Sequence, residues 1–228
     1  MLTRIFERCT YVKDRIDTYY ICAHRYNDAL IEISDQTAAS VKEVTAMSDD
    51  NIVRHCAPTL AGIKTGSIFP CPYENRKTVL DSVRRINHRL KAKGLRCVPL
   101  RFSEKRVLIY LYRPTQLCKD LENVTARALL TSRGYAIDNC EKCLVQLARK
   151  LRQQEDFPHE IGLFLGYPAE DVCGFIENPA CCKCVGCWKV YGDEEAAKKK
   201  FAQYKKCTKV YCAQWENGKD IERLAVAG

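Results

Sequence analysis

Residues 96–112 read RCVPLRFSEKRVLIYLY. The second half, RVLIYLY over 106–112, is rich in the aromatic and branched residues that favour strands. Residues 96–102 read as a strand as well. The link between them, Ser103-Glu104-Lys105, is short enough to join antiparallel neighbours as a hairpin.

Outward from this hairpin the apolar spacing becomes helical. Residues 74–93 place Val79, Leu80, Val83, Ile86 and Leu90 on a helical period, with Gly94 as a natural stop. Pro114 suits a first helical turn, so residues 114–123 and then 124–132 read as helix, ended by Gly134. Residues 138–153 carry Leu144, Leu147 and Leu151 on one face, with Asp138 as N-cap. Residues 158–165 read as a short helix with His159 and Glu160 in its first turn. Residues 168–177 form another, with Glu170 and Asp171 at its positive end. Residues 188–191 read as a strand, Asp193 caps a helix over 194–205, and one more helix is expected within 207–226. Upstream, Ser48, Asp49 and Asp50 start a short helix over 51–55, and residues 59–64 read as a short strand after Pro58. The expected fold is α/β or α+β: a single compact domain whose small mixed or antiparallel-containing sheet is packed with several helices.

The composition fits a globular chain. Of 228 residues, 46% are hydrophobic, enough for a core and against general disorder. No apolar run approaches the roughly 20 residues that span a membrane. The first residues lack the apolar centre of a signal peptide, so a cytoplasmic location is expected. The 15 cysteines are an odd number and cannot all pair within one chain. In a reducing compartment they remain free thiols, bind metal or react. Cys97, Cys118 and Cys173 lie in apolar surroundings and read as small buried hydrophobes.

The formal net charge is +9. Much of it lies in Arg84, Arg85, Arg89, Lys91, Lys93, Arg96, Arg101, Lys105 and Arg106. Such a stretch attracts phosphates or nucleic acid. A solvated helix face followed by a basic loop is the preferred reading, because no nucleic-acid motif accompanies the charge. Residues 1–46 hold six basic and seven acidic residues, so they do not supply the excess. The run MSDDNIVRHCAP from Met47 reads like a natural start. Residues 1–46 are therefore expected to be an extension, either a misplaced start or a helical arm, ahead of a domain over 47–228.

Three segments have an unusual density of special residues: HCAPTLAGIKTGSIF at 55–69, FPHEIGLFLGYPAEDVCGF at 157–175 and CWKVYGDEEA at 187–196. From about Asp49 to the end, they resemble a bacterial family catalogued as domain of unknown function 3793. The resemblance implies no activity. It implies that Cys184 is usual, that the position of Cys187 is usually tyrosine, and that Cys181 and Cys182 are not typical.

Within the first two, HCAPTLAGIK at 55–64 and PHEIGLFLGYP at 158–168 are expected to converge on one pocket for a small molecule or peptide. Cys56 follows His55, and a thiol beside histidine or at a helix N-terminus is a nucleophile when its pKa falls. His159 would serve as acid or base, oriented by Glu160. His55, Gly62, Lys64, Gly162, Gly166 and Tyr167 would line the pocket, the glycines permitting close backbone approach. Whether the chain is an enzyme is left open. A second reading builds a zinc site, an iron–sulfur site or a thiol-redox module on Cys181, Cys182, Cys184 and Cys187, although paired knuckles with a defined gap are missing. A third is a basic adaptor for nucleic acid.

Overall fold

The computed structural model describes residues 47–153 and 157–228; the expected extension over 1–46 lies outside them. The chain folds as α+β. Helix α1 (Asp49–Leu60) leads into strand β1 (Gly66–Pro72), helix α2 (Arg76–Leu90), a 3-10 turn (Lys91–Lys93), and strands β2 (Arg96–Phe102) and β3 (Arg106–Tyr112). Then follow α3 (Pro114–Leu121), α4 (Val124–Ser132), α5 (Cys140–Gln153), a single turn α6 (Ile161–Phe164) and α7 (Ala169–Glu177). A two-residue hairpin, β4 (Cys184–Val185) and β5 (Lys189–Val190), precedes the long α8 (Glu194–Glu216) and a final turn α9 (Ile221–Leu224).

The hairpin over 96–112 forms as expected, and β1 joins it in the order β1-β3-β2, all antiparallel. Proline placement explains that order. Proline donates no ladder bond and is confined to sheet edges and bulges. Pro70 and Pro72 sit in β1, and Pro99 sits in β2 beside a register shift, whereas central β3 has none. Side chains alternate across the sheet. Val107, Ile109 and Leu111 face a core shared with α1, α2 and α9. Tyr110 and Tyr112 face a second core built from α3 to α7. A third cluster gathers Trp188, Val190, Ala197, Phe201 and Tyr204.

Several local expectations are corrected. The expected strand over 59–64 is instead the end of α1, which runs through Pro58 to Leu60, and the turn after it. The ring removes one helical donor, and the chain turns only at Gly62, with φ +75°. The strand comes later, as β1. Asn139, not Asp138, caps α5 by accepting from the Lys142 amide at 3.0 Å; Asp138 pairs with the Lys142 Nζ at 3.2 Å. His159 and Glu160 precede α6 instead of opening it. Helix α8 has no breaker at Lys205 and continues for 23 residues, about 34 Å at 1.5 Å per residue. Its first half packs into the aromatic cluster, and Tyr211, Cys212 and Trp215 of its second half pack onto the core beside α1.

Arg113, which follows β3 and precedes α3, closes the fold. Only 5% exposed, it donates to the main-chain oxygens of Thr59, Leu60 and Val226, each at 2.8 Å. Helix α1 leaves its last carbonyls without helical partners, and the guanidinium satisfies them at the negative end of the helix dipole.

Candidate functional site

The segments expected to converge meet at their C-terminal ends. After α6 the chain reverses at Gly166, φ +74°. A Cβ there would stand 2.5 Å from Thr65 Oγ1 and 3.3 Å from Asp120 Oδ2, so glycine lets the turn lie against both. Thr65 Oγ1 in turn donates to Asp120 Oδ2, and Gln116 Nε2 donates to Asp120 Oδ1 at 2.8 Å. Gly162 has a packing role: a Cβ would meet Val172 Cγ2 at 2.8 Å.

Tyr167 follows Gly166 and stacks on Trp188, ring centroids 4.7 Å apart. Its hydroxyl donates to the Cys187 carbonyl at 3.3 Å. Trp188 is fixed from below: its indole N–H donates to Asp171 Oδ2 at 2.7 Å, and its ring meets Phe201 edge-on at 4.5 Å. Asp171 Oδ1 accepts the Tyr191 and Gly192 amides, both at 2.7 Å. The buried carboxylate thus ties the first turn of α7 to the β5–α8 connection.

Beside Tyr167 lies an open cleft of about 510 Å³, within the usual range of ligand pockets. Lys119, Asp120 and Asn123 form one wall, Gly166 to Asp171 the floor, and Asp193, Ala196, Ala197 and Lys200 of α8 the other wall. Cations and carboxylates therefore both face the space. Behind Tyr167 stands Lys64, half-buried, its Nζ 5.6 Å from the Tyr167 ring centroid and 5.9 Å from that of Tyr204. Burial lowers its pKa from the ordinary value, opposed by the Cys187 and Cys56 thiols. Among the described residues it forms no ion pair.

The remaining expected residues lie apart from this cleft. Cys56 is fully buried in α1, and burial pushes its thiol up, away from nucleophilic character. His55 stacks on Phe69 with centroids 5.4 Å apart. Gly62 faces the Arg113 guanidinium, 3.6 Å from where its Cβ would stand. His159 packs against the Phe175 ring at 5.0 Å. Glu160, 3% exposed, accepts from the Tyr135 hydroxyl at 3.0 Å and from Lys150 Nζ at 3.4 Å, a satisfied buried carboxylate. Cys56 belongs to the core on one side of the sheet, and Tyr135 and Ile161, which flank Glu160, to the core on the other. The sheet stands between the expected nucleophile and its acid–base pair.

The four cysteines of the run are not gathered into one cluster. Cys181 is exposed, while Cys184 and Cys187 pack against the aromatic cluster. Among the described residues no three His, Cys, Asp or Glu side chains stand where they could hold a metal ion. The basic stretch is partly engaged within the fold. Arg84 pairs with Asp81 at 2.8 Å, and Arg89 bridges Asp49 and Glu222. Cys97 is buried as expected, whereas Cys118 and Cys173 are only half-buried.

A family model described as protein of unknown function (DUF3793) matches residues 52–225. No curated protein and no solved structure matches the chain. Among the described residues no helix is long and apolar enough to cross a membrane.

Proposed function

The chain belongs to the DUF3793 family of proteins of unknown function, and from that premise we propose that it binds a small polar or zwitterionic molecule in the cleft beside Tyr167. The observation that carries this reading is the cleft itself. An anchored aromatic, Tyr167 on Trp188, adjoins a space of about 510 Å³ faced by Lys119 and Lys200 as well as Glu170 and Asp193. Such a lining offers a planar apolar surface with charges of both signs to orient a ligand. The Asp171 and Asp120 networks hold the walls without the ligand, which keeps the ordering cost of binding low. In this reading residues 47–228 act as one domain of a cytoplasmic bacterial protein. The thiol-dependent form loses its support with Cys56 in the core.

Trp188 is the natural reporter. In a Trp215→Phe background, the full chain is titrated with the free amino acids and the common nucleosides, following fluorescence and thermal midpoint. Saturable quenching with a raised midpoint is expected for at least one of these compounds, weakened tenfold or more by Lys200→Glu or Asn123→Phe. A response that those variants leave intact, or no response from any of them, overturns the reading.

A further inference from the structure

Three cysteines that the cleft does not use line a second open cavity, of about 380 Å³. Cys118 comes from α3, Cys140 begins α5, and Cys143 lies one turn further along α5. The two helices pack against each other. Cys118 and Cys140 both line the cavity, the Cys118 sulfur near enough to help raise the pKa of the Cys140 thiol. Both are half-buried, whereas Cys143 is buried and donates its S–H to the Ala136 carbonyl at 3.2 Å. The rest of the lining includes apolar Leu121, Leu130 and Ile137 and the charged Glu122 and Arg127. Two half-buried thiols in the lining of one cavity, with the third tied to the backbone, are an arrangement for paired chemistry.

We propose that Cys118 and Cys140 form a thiol–disulfide exchange site that takes small organic disulfides. In the first step the Cys118 sulfur attacks one sulfur of the disulfide R–S–S–R. A Cys118–S–S–R bond forms, the S–S bond of the reagent breaks, and R–S⁻ leaves to collect the proton from Cys118. In the second step the Cys140 sulfur attacks the Cys118 sulfur. The intramolecular Cys118–Cys140 bond forms, and the second R–S⁻ leaves with the Cys140 proton. The protein loses two electrons and two protons, and one disulfide becomes two thiols. Burial, with the Cys118 sulfur adding to it, pushes the Cys140 thiol up.

The fully reduced chain is incubated without oxygen with bis(2-hydroxyethyl) disulfide at increasing ratios to mercaptoethanol. It is then quenched in acid, alkylated and mapped by peptide mass spectrometry. The Cys118–Cys140 link is expected to appear at a less oxidising ratio than any other internal link, in a protein with unchanged near-ultraviolet dichroism. Cys140→Ser is expected to leave the mercaptoethanol adduct on Cys118 at least tenfold longer than in the parent. Cys143→Ser is expected to leave the link intact. A Cys118–Cys143 link, or an adduct on exposed Cys181 while Cys118 and Cys140 both stay free, overturns the proposal.

Discussion

Gly166 lies so close to Thr65 that a methyl group in place of its hydrogen would sit 2.5 Å from the threonine oxygen. Two costs combine there, because the backbone is also left-handed, at φ +74°. Gly134 separates them: its φ is +76°, and nothing lies within 4 Å of where a Cβ would go. Gly134→Ala should cost about 1 kcal/mol, the backbone part alone. Gly166→Ala should cost roughly a further 1–3 kcal/mol through overpacking. Urea unfolding of the two variants checks this, and equal losses would show that the Thr65 contact yields freely.

Arg113→Met keeps much of the side-chain volume and removes the donors. The carbonyls of Thr59, Leu60 and Val226 then lose a charged partner in a buried place. A loss of roughly 3 kcal/mol or more is expected, read as a lower urea midpoint. A loss below about 1 kcal/mol would mean that water replaces the guanidinium.

Asp171→Ala should strip Trp188, Tyr191 and Gly192 of their shared acceptor. The expected cost is on the order of 3 kcal/mol, with Trp188 emission shifted to the red as the ring loosens. Asp171→Asn retains one acceptor oxygen and should fall between the parent and Asp171→Ala. An alanine variant with the parent's emission and midpoint would contradict the anchoring role.

Lys64 predicts a pH effect of definite sign. Burial lowers its pKa below 10.5 in the folded chain, while the unfolded chain keeps the ordinary value. Between the two values the unfolded state binds more protons, so this group makes stability rise with pH across that window. Below the window the fold carries the full cost of the half-buried ammonium. Lys64→Met should therefore be more stable than the parent at pH 7, and its advantage should shrink as pH climbs toward 10.5. Denaturant curves at pH 7, 8.5 and 10 measure it. An advantage that grows with pH would reverse the assignment.

The β2–β3 hairpin was legible because strand composition and link length agree over one short stretch, residues 96–112. Strand β1 was not, since Pro70 and Pro72 mask the strand signal of SIF-C and are tolerated only because the strand takes an edge. That tolerance depends on sheet order, which no local pattern carries. Gly166 and Tyr167 stood out in the sequence because a Gly-Tyr-Pro step breaks a helix. Lys119, Asn123 and Lys200 looked like ordinary surface residues, and only the approach of three separate elements makes them walls. Cys56 misled because its neighbours His55 and Pro58 suggest reactivity, whereas α1 turns it inward. The meeting of Cys118 with Cys140 depends on the packing of α3 on α5, which is likewise invisible in the spacing of the cysteines.

The bonds of Arg113 also have an order in time. One of its acceptors, Val226, lies 113 residues further along the chain. At roughly 5–20 residues per second of synthesis, the arginine leaves the ribosome on the order of ten seconds before that carbonyl exists. A nascent chain can form α1 and the sheet in that interval, yet its guanidinium waits with an incomplete set of acceptors. Helix α9 and the residues just after it then act as a latch that is supplied only once synthesis has passed Val226.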